Sequence, residues 1–177
     1  MIYHIRAISN ESDDFLFDIA IDGDFTFLEL NDFIQEKLDY DPSHLSSFFI
    51  TDDEWNKEIE VVPIDMGEGA GDSLLMEKST LASLLTDVKQ RFIYVFDLFN
   101  ERILFMELAQ IDEGELKNPV CTKLVGTPPI QFKDNGFDDD LSLENILDND
   151  DFDDDNEYSD DVDFDSYSDD NFEDDFY

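Results

Sequence analysis

Arg91-Phe92-Ile93-Tyr94-Val95-Phe96-Asp97-Leu98, then Phe99-Asn100-Glu101, then Arg102-Ile103-Leu104-Phe105-Met106-Glu107-Leu108-Ala109-Gln110-Ile111 decides the fold. β-Branched and aromatic side chains fill both arms, and such residues suit a pleated, half-buried surface. The three polar or bulky residues between them leave room only for a tight turn. Residues 91–98 and 102–111 are therefore predicted to be two adjacent antiparallel strands.

Working outward, residues 2–8 and 15–21 also read as strands. Phe15, Phe17, Ile19 and Ile21 alternate with Leu16, Asp18 and Ala20, a period of two. The turn-forming link Ser9-Asn10-Glu11-Ser12-Asp13-Asp14 makes the pair a hairpin. Thr26 followed by Glu29 is a capping box, which satisfies backbone donors at a helix start. Phe27, Leu30, Ile34 and Leu38 then share one face, with Glu29, Asp32 and Glu36 turned away. The helix should stop near Asp39, because Pro42 disfavours helical geometry at Asp41. Leu45 to Ile50 and Ile59 to Ile64 read as further strands, and Ser79 or Thr80 as the cap of a short helix through Leu85. The order β-β-α-β-β-α-β-β predicts an α+β fold: a small, mostly antiparallel sheet packed on one long helix.

Beyond Ile111 the periodicity fades. Pro119, Gly126, Pro128, Pro129 and Gly136 mark an irregular segment, and Leu141, Leu143, Ile146 and Leu147 form a small apolar cluster. From Asp148 onward Asp, Asn and Ser dominate, with too few aliphatic residues to offset the entropy of ordering. The expectation is a folded domain over residues 1–136 and a disordered polyacidic tail over residues 137–177.

Charge sets the partners. The chain has 48 Asp and Glu against 10 Lys and Arg, a formal net charge of -38. The first 136 residues hold 28 acids and 10 bases, and residues 137–177 hold 20 acids with no Lys, Arg or His. Nucleic acid is bound by neutralising its phosphates with Lys and Arg, so direct binding is disfavoured, as is docking on an anionic membrane. A basic protein, or the basic groove of a nucleic-acid-handling machine, is the partner that this charge suits. A lone cysteine, Cys121, gives neither an intrachain disulfide nor a thiol metal cluster. Residues 1–6 lack the apolar core of a signal peptide, and the longest apolar stretch, Phe92 to Phe99, is too short to span a bilayer. The cytoplasm is the expected compartment.

Chemistry-bearing motifs are sparse. Gly67-Glu68-Gly69-Ala70-Gly71 lacks the lysine of a phosphate cradle and is flanked by acids. The Asp runs between Asp148 and Asp175 lack the central glycine and flanking helices of a calcium loop. No cofactor or metal site is expected. His4 and His44 are the only imidazoles; an enzyme built on this chain would be hydrolase-like, with a cleft near His44, Asp97 and Glu101. The sharper feature is the tail, where Phe152, Tyr158, Phe164, Tyr167, Phe172, Phe176 and Tyr177 punctuate the acidic run. Charge attracts a basic groove, and rings then insert or stack over Arg and Lys. The ending Asn171-Phe172-Glu173-Asp174-Asp175-Phe176-Tyr177 is similar to the acidic, aromatic-ended tips by which bacterial single-strand-binding proteins recruit partners. The expected role is that of a non-enzymatic interaction protein.

Residues 1–136 resemble the plasmid pRiA4b ORF-3-like family, whose members also occur as passenger proteins of insertion elements. The resemblance is carried by Thr26-Phe27-Leu28-Glu29-Leu30-Asn31-Asp32-Phe33-Ile34, and by Asp41-Pro42-Ser43-His44-Leu45-Ser46-Ser47-Phe48 with its HLxxF feature. Thr80-Leu81-Ala82-Ser83-Leu84-Leu85 and Phe92-Ile93-Tyr94-Val95-Phe96-Asp97-Leu98 complete it. It implies a small α+β domain and brings no activity with it. Family members follow the Asp-containing strand with a Gly-Asp turn, then Trp and His, where this chain has Phe99-Asn100-Glu101-Arg102-Ile103-Leu104. Many also carry a cysteine-rich segment ending in Cys-Pro-Pro, where this chain keeps Cys121 but has Thr127 before Pro128-Pro129.

Since the apolar periodicity ends before the tail, a chain truncated after Gly136 should still melt cooperatively in a thermal circular-dichroism scan. A featureless melt would make the tail part of the fold.

Overall fold

The computed structural model describes residues 1–65 and 73–132. Ten elements follow one another: β1 (Ile2–Ser9), β2 (Leu16–Asp22), α1 (Phe27–Leu38), β3 (Ser47–Thr51), β4 (Lys57–Val62), β5 (Leu74–Leu75), α2 (Leu81–Leu84), β6 (Arg91–Asp97), β7 (Arg102–Asp112) and β8 (Val120–Val125). All eight strands lie in one sheet, in the order β5-β4-β3-β6-β7-β1-β2-β8. The β4–β5 pair is parallel and the other neighbours are antiparallel, so the sheet is mixed.

This corrects the expected architecture of a small sheet packed on one long helix. The fold is dominated by its sheet, and the helices have only 12 and 4 residues. At about 4.8 Å between neighbours, eight strands span roughly 34 Å. A 12-residue helix rises only about 18 Å, so it covers part of one face and cannot form a full layer. Two strands were not anticipated. β5 is a two-residue pairing against β4. β8 pairs with β2 and is exposed at every residue except the half-buried Cys121, so no alternation of apolar and polar residues announces it. Gly126 closes β8 with φ +75°, and a Cβ there would lie 2.5 Å from the Asp14 carbonyl oxygen.

The predicted hairpins are present. β1 pairs with β2 from Ile2↔Asp22 to Ile8↔Leu16, and β6 pairs with β7 from Arg91↔Glu107 to Asp97↔Arg102. One face of the sheet carries the core. Phe92, Tyr94 and Phe96 alternate inward on β6, Leu104, Met106 and Leu108 on β7, and Phe17, Ile19 and Ile21 on β2.

α1 forms where its capping box places it. The Thr26 hydroxyl accepts from the Glu29 amide at 3.2 Å, and the Glu29 carboxylate accepts from the Thr26 amide at 2.8 Å. Asp39 ends the helix in the left-handed region, at φ 58°. Phe27, Leu30, Ile34 and Leu38 are buried, as their spacing predicts, and so are Asn31 and Gln35. Asn31 orients the helix on the sheet: its Oδ1 accepts from the Ser46 hydroxyl at 2.6 Å and from the Tyr94 hydroxyl at 2.9 Å. Burial pushes the Tyr94 phenol up to about 12, which keeps it a donor at neutral pH.

Ile34 is fully buried, so Ile34→Ala should cost roughly 2–5 kcal/mol in urea unfolding. Asp32→Ala, on the exposed face, should shift stability by less than about 0.5 kcal/mol. Equal losses would mean that the helix docks on a different face.

Candidate functional site

A buried arginine and its acidic partners lie where β6 turns into β7. Arg102 opens β7 in phase with Leu104, Met106 and Leu108, so strand alternation sends its guanidinium inward, and only 6% of the residue is exposed. A buried cation has to be paired and hydrogen-bonded. Glu11, from the β1–β2 loop, meets it with both oxygens: Nε to Oε1 at 2.8 Å and NH2 to Oε2 at 2.9 Å. NH1 donates to the Gln131 carbonyl at 2.9 Å and lies 3.9 Å from Asp97 Oδ2. The Phe96 ring sits beneath the guanidinium, 4.9 Å away. Hydrogen bonds to Glu11, together with the charge of Asp97, raise the Arg102 pKa above its ordinary value.

The same cluster fastens residues 129–131 to the turn after α1. The Tyr40 hydroxyl donates to the Pro129 carbonyl at 2.8 Å, and Tyr40 packs against Phe96 at 5.3 Å. Burial raises the Tyr40 pKa well above its usual value, so the phenol keeps its proton. The Gln131 side chain reads both backbone groups of Asp41, accepting from its amide at 2.6 Å and donating to its carbonyl at 3.2 Å.

The residues of the hydrolase-like reading fall in this neighbourhood without converging. Asp97 is committed to the turn, where its Oδ1 accepts from the amides of Phe99 and Asn100, both at 3.1 Å, and Oδ2 from the Asn100 side chain at 2.7 Å. Burial opposes its charge, but those hydrogen bonds outweigh it and hold the carboxyl below the usual range. Glu101 sits in the turn with φ 49°, exposed. His44 lies on the Asp41–His44 turn with its ring 4.2 Å from Phe132 and Nδ1 3.6 Å from Asp41 Oδ2. Among the described residues, no hydrogen bond or ion pair joins His44 to Asp97 or Glu101. His4 instead pairs with Asp112 on the β1–β7 surface at 2.9 Å. No group of three or more His, Cys, Asp and Glu is arranged to hold a metal ion among the described residues. None of their helices is long and apolar enough to cross a membrane.

A second feature is an acidic concavity of about 380 Å³ lined by Asp22, Asp24, Phe25, Glu29, Glu115 and Leu116. Asp22 is its most constrained carboxylate, accepting from the amides of Asp24 at 3.2 Å and Leu116 at 3.1 Å. Burial disfavours its charge, yet these amides hold its pKa below the ordinary value. Sequence reading missed Arg102, Glu11 and Gln131. The signal for Arg102 was its parity with Leu104 and Met106; nothing local marks the other two. Phe152, Tyr158, Phe164, Tyr167, Phe172, Phe176 and Tyr177 lie outside the described residues, as do Gly67–Gly71 and the Asp runs beyond Asp148.

Sheet order and the Arg102 cluster define a small, sheet-dominated domain with an acidic surface and a buried arginine fastening. The chain belongs to the plasmid pRiA4b ORF-3-like family, whose model matches residues 8–174. The match agrees with the resemblance in the sequence, and it continues past Gly136 into the acidic run. Among solved structures, the fold is similar to that of MM3350, a protein of unknown function from Methanosarcina mazei Go1. The TM-score is 0.54 at 20% sequence identity, over 70% of this chain and 68% of that one. No curated protein matches the chain.

Replacing Arg102 with Met removes the fork to Glu11 and the bond to the Gln131 carbonyl together, and should cost roughly 1–3 kcal/mol at neutral pH in urea unfolding. Loss of less than about 1 kcal/mol would show that the cluster is not held by this ion pair. Asp97 has a depressed folded-state pKa, so its contribution is present above the unfolded value of about 3.9 and is lost as pH falls through the folded value. Asp97→Asn should therefore lower the urea midpoint at pH 7 and flatten its decline below about pH 4. An unchanged acid limb would place the titrating group elsewhere.

Proposed function

We propose that the protein is a non-enzymatic, cytoplasmic interaction protein. Its acidic domain and acidic, aromatic-punctuated tail engage a basic protein, or compete with nucleic acid for one. The observation that carries this reading is how the described cations are deployed. Of the nine described Lys and Arg, Arg6, Lys37, Lys78 and Arg102 sit against carboxylates, and Lys57 and Arg91 lie over the rings of Phe49 and Trp55. In the first 136 residues, 28 acids outnumber 10 bases, so most carboxylates have no cation to meet. The resulting field is negative and steers basic partners toward the surface.

The concavity beside Phe25 suits such a partner at the level of one side chain. An extended Lys or Arg lays its aliphatic stem on apolar surface and keeps its charged head among acids. Phe25 and Leu116 supply the first, and Asp22, Asp24, Glu29 and Glu115 the second. The tail rings add insertion or stacking to the same attraction.

Two perturbations should separate charge from ring contacts. Raising salt from about 0.05 to 0.5 M shrinks the Debye length from roughly 14 to 4 Å. Binding of the full chain to a basic protein that copurifies with it should weaken strongly over that range in an anisotropy titration. Replacing Phe164, Tyr167, Phe172, Phe176 and Tyr177 with Ser keeps every charge, and should remove much of the low-salt affinity. Parent-like binding of that variant would reduce the tail to a solubilising polyanion; salt-independent binding would remove the electrostatic reading.

A further inference from the structure

We propose that the free edge of β8 takes up an extended acidic segment of a protein partner as an additional strand. β8 is the last strand of the sheet; it pairs with β2 on one side, and no described strand pairs with its other side. Its exposed residues include Val120, Leu124 and Val125, each between 43% and 45% accessible. An edge of this kind presents unpaired N–H and C=O groups to any extended chain that reaches it. The opposite edge, β5, has only two residues and offers little to pair with. β8 has six, and no proline interrupts it.

Charge selects the occupant. In a chain with 48 acidic residues, Leu116 to Phe132 contains none; β8 carries Lys123, and Lys117 precedes it. Lys123 stands opposite Asp18 in the β2–β8 register, yet Arg6 already holds both oxygens of Asp18, at 2.8 and 2.9 Å. Lys123 is thus an exposed cation whose natural cross-strand partner is taken. A single edge lysine also serves as a guard against strand pairing. That role alone does not account for the acid-free run, because in so acidic a chain the simplest guard is another carboxylate. At physiological salt the Debye length is about 8 Å, so an incoming strand responds to the charges along the edge more than to the net charge of the whole domain. Strand addition draws affinity from main-chain hydrogen bonds and specificity from alternating side chains. The fitting segment alternates apolar residues with Asp or Glu.

The test uses the full chain and a short, fluorescein-labelled peptide alternating valine with aspartate. Two further peptides carry N-methyl groups on either the odd or the even amides. Strand addition uses one edge of the peptide, so one methylated form should lose binding and the other keep it. Lys123→Gln, which puts no second carboxylate opposite Asp18, should weaken the parent peptide several-fold with an unchanged melting temperature. Equal binding of both methylated forms, or equal binding of a valine–lysine peptide, would overturn the proposal. So would a concentration-dependent dimer of the chain, in sedimentation, that Thr122→Pro dissolves while the peptide does not bind; that result would assign the edge to a second copy.

Discussion

A guanidinium taken out of water must be paired and hydrogen-bonded, and the Arg102 cluster is built around that requirement. The effective penalty for burying such an ion is several kcal/mol, and only close pairing with hydrogen bonds to the remaining protons offsets it. Glu11 supplies the fork, the Gln131 carbonyl supplies the third acceptor, and Phe96 supplies the ring below. These groups come from the β1–β2 loop, the end of β6 and the segment after β8. Strands at different positions in the sheet order are therefore tied at one point. Tyr40 and Gln131 extend the tie to the turn after α1. The polar contacts specify which loops meet, and the apolar inner face of β6, β7 and β2 supplies the burial that makes the meeting favourable.

What could be read from the sequence depended on how local the determinant is. The α1 start is written in two residues, Thr26 and Glu29, that bond each other, and the helix begins where they say. The β6–β7 hairpin is written in continuous β-branched and aromatic runs around a short turn. β8 carries no comparable contrast because nearly all of its side chains face water, so its strand character exists only in its pairing with β2. The overestimate of helix followed from the same blindness: with the edge strands missing, α1 looked large enough to cover the sheet. Arg102 was legible in part. Its parity with Leu104 and Met106 places it inward, but Glu11 and Gln131 lie 91 and 29 residues away, and one sequence cannot pair them. Asn31 is similar. Its place on the apolar face of α1 could be read from spacing, whereas its partners Ser46 and Tyr94 emerge only in three dimensions.

The fastening and the charge distribution are linked. Cations are scarce in this chain, and Arg102 spends its charge inside the domain while Arg6 forks onto Asp18. In the first 136 residues carboxylates outnumber cations 28 to 10. The acid-free run from Lys117 to Phe132 contains the strand whose edge is open.

The most direct test of this account is a double-mutant cycle on Arg102 and Glu11, using Arg102→Met, Glu11→Gln and the pair, each followed by urea unfolding at neutral pH. If the Arg102–Glu11 fork organises the cluster, each single variant strips its partner of two hydrogen bonds and loses roughly 1–3 kcal/mol. The double variant should then be no less stable than either single one, giving a coupling on the order of 1–3 kcal/mol. Additive losses, with coupling below about 0.5 kcal/mol, would contradict it, because the two side chains would then act independently and some other contact would hold the loops together.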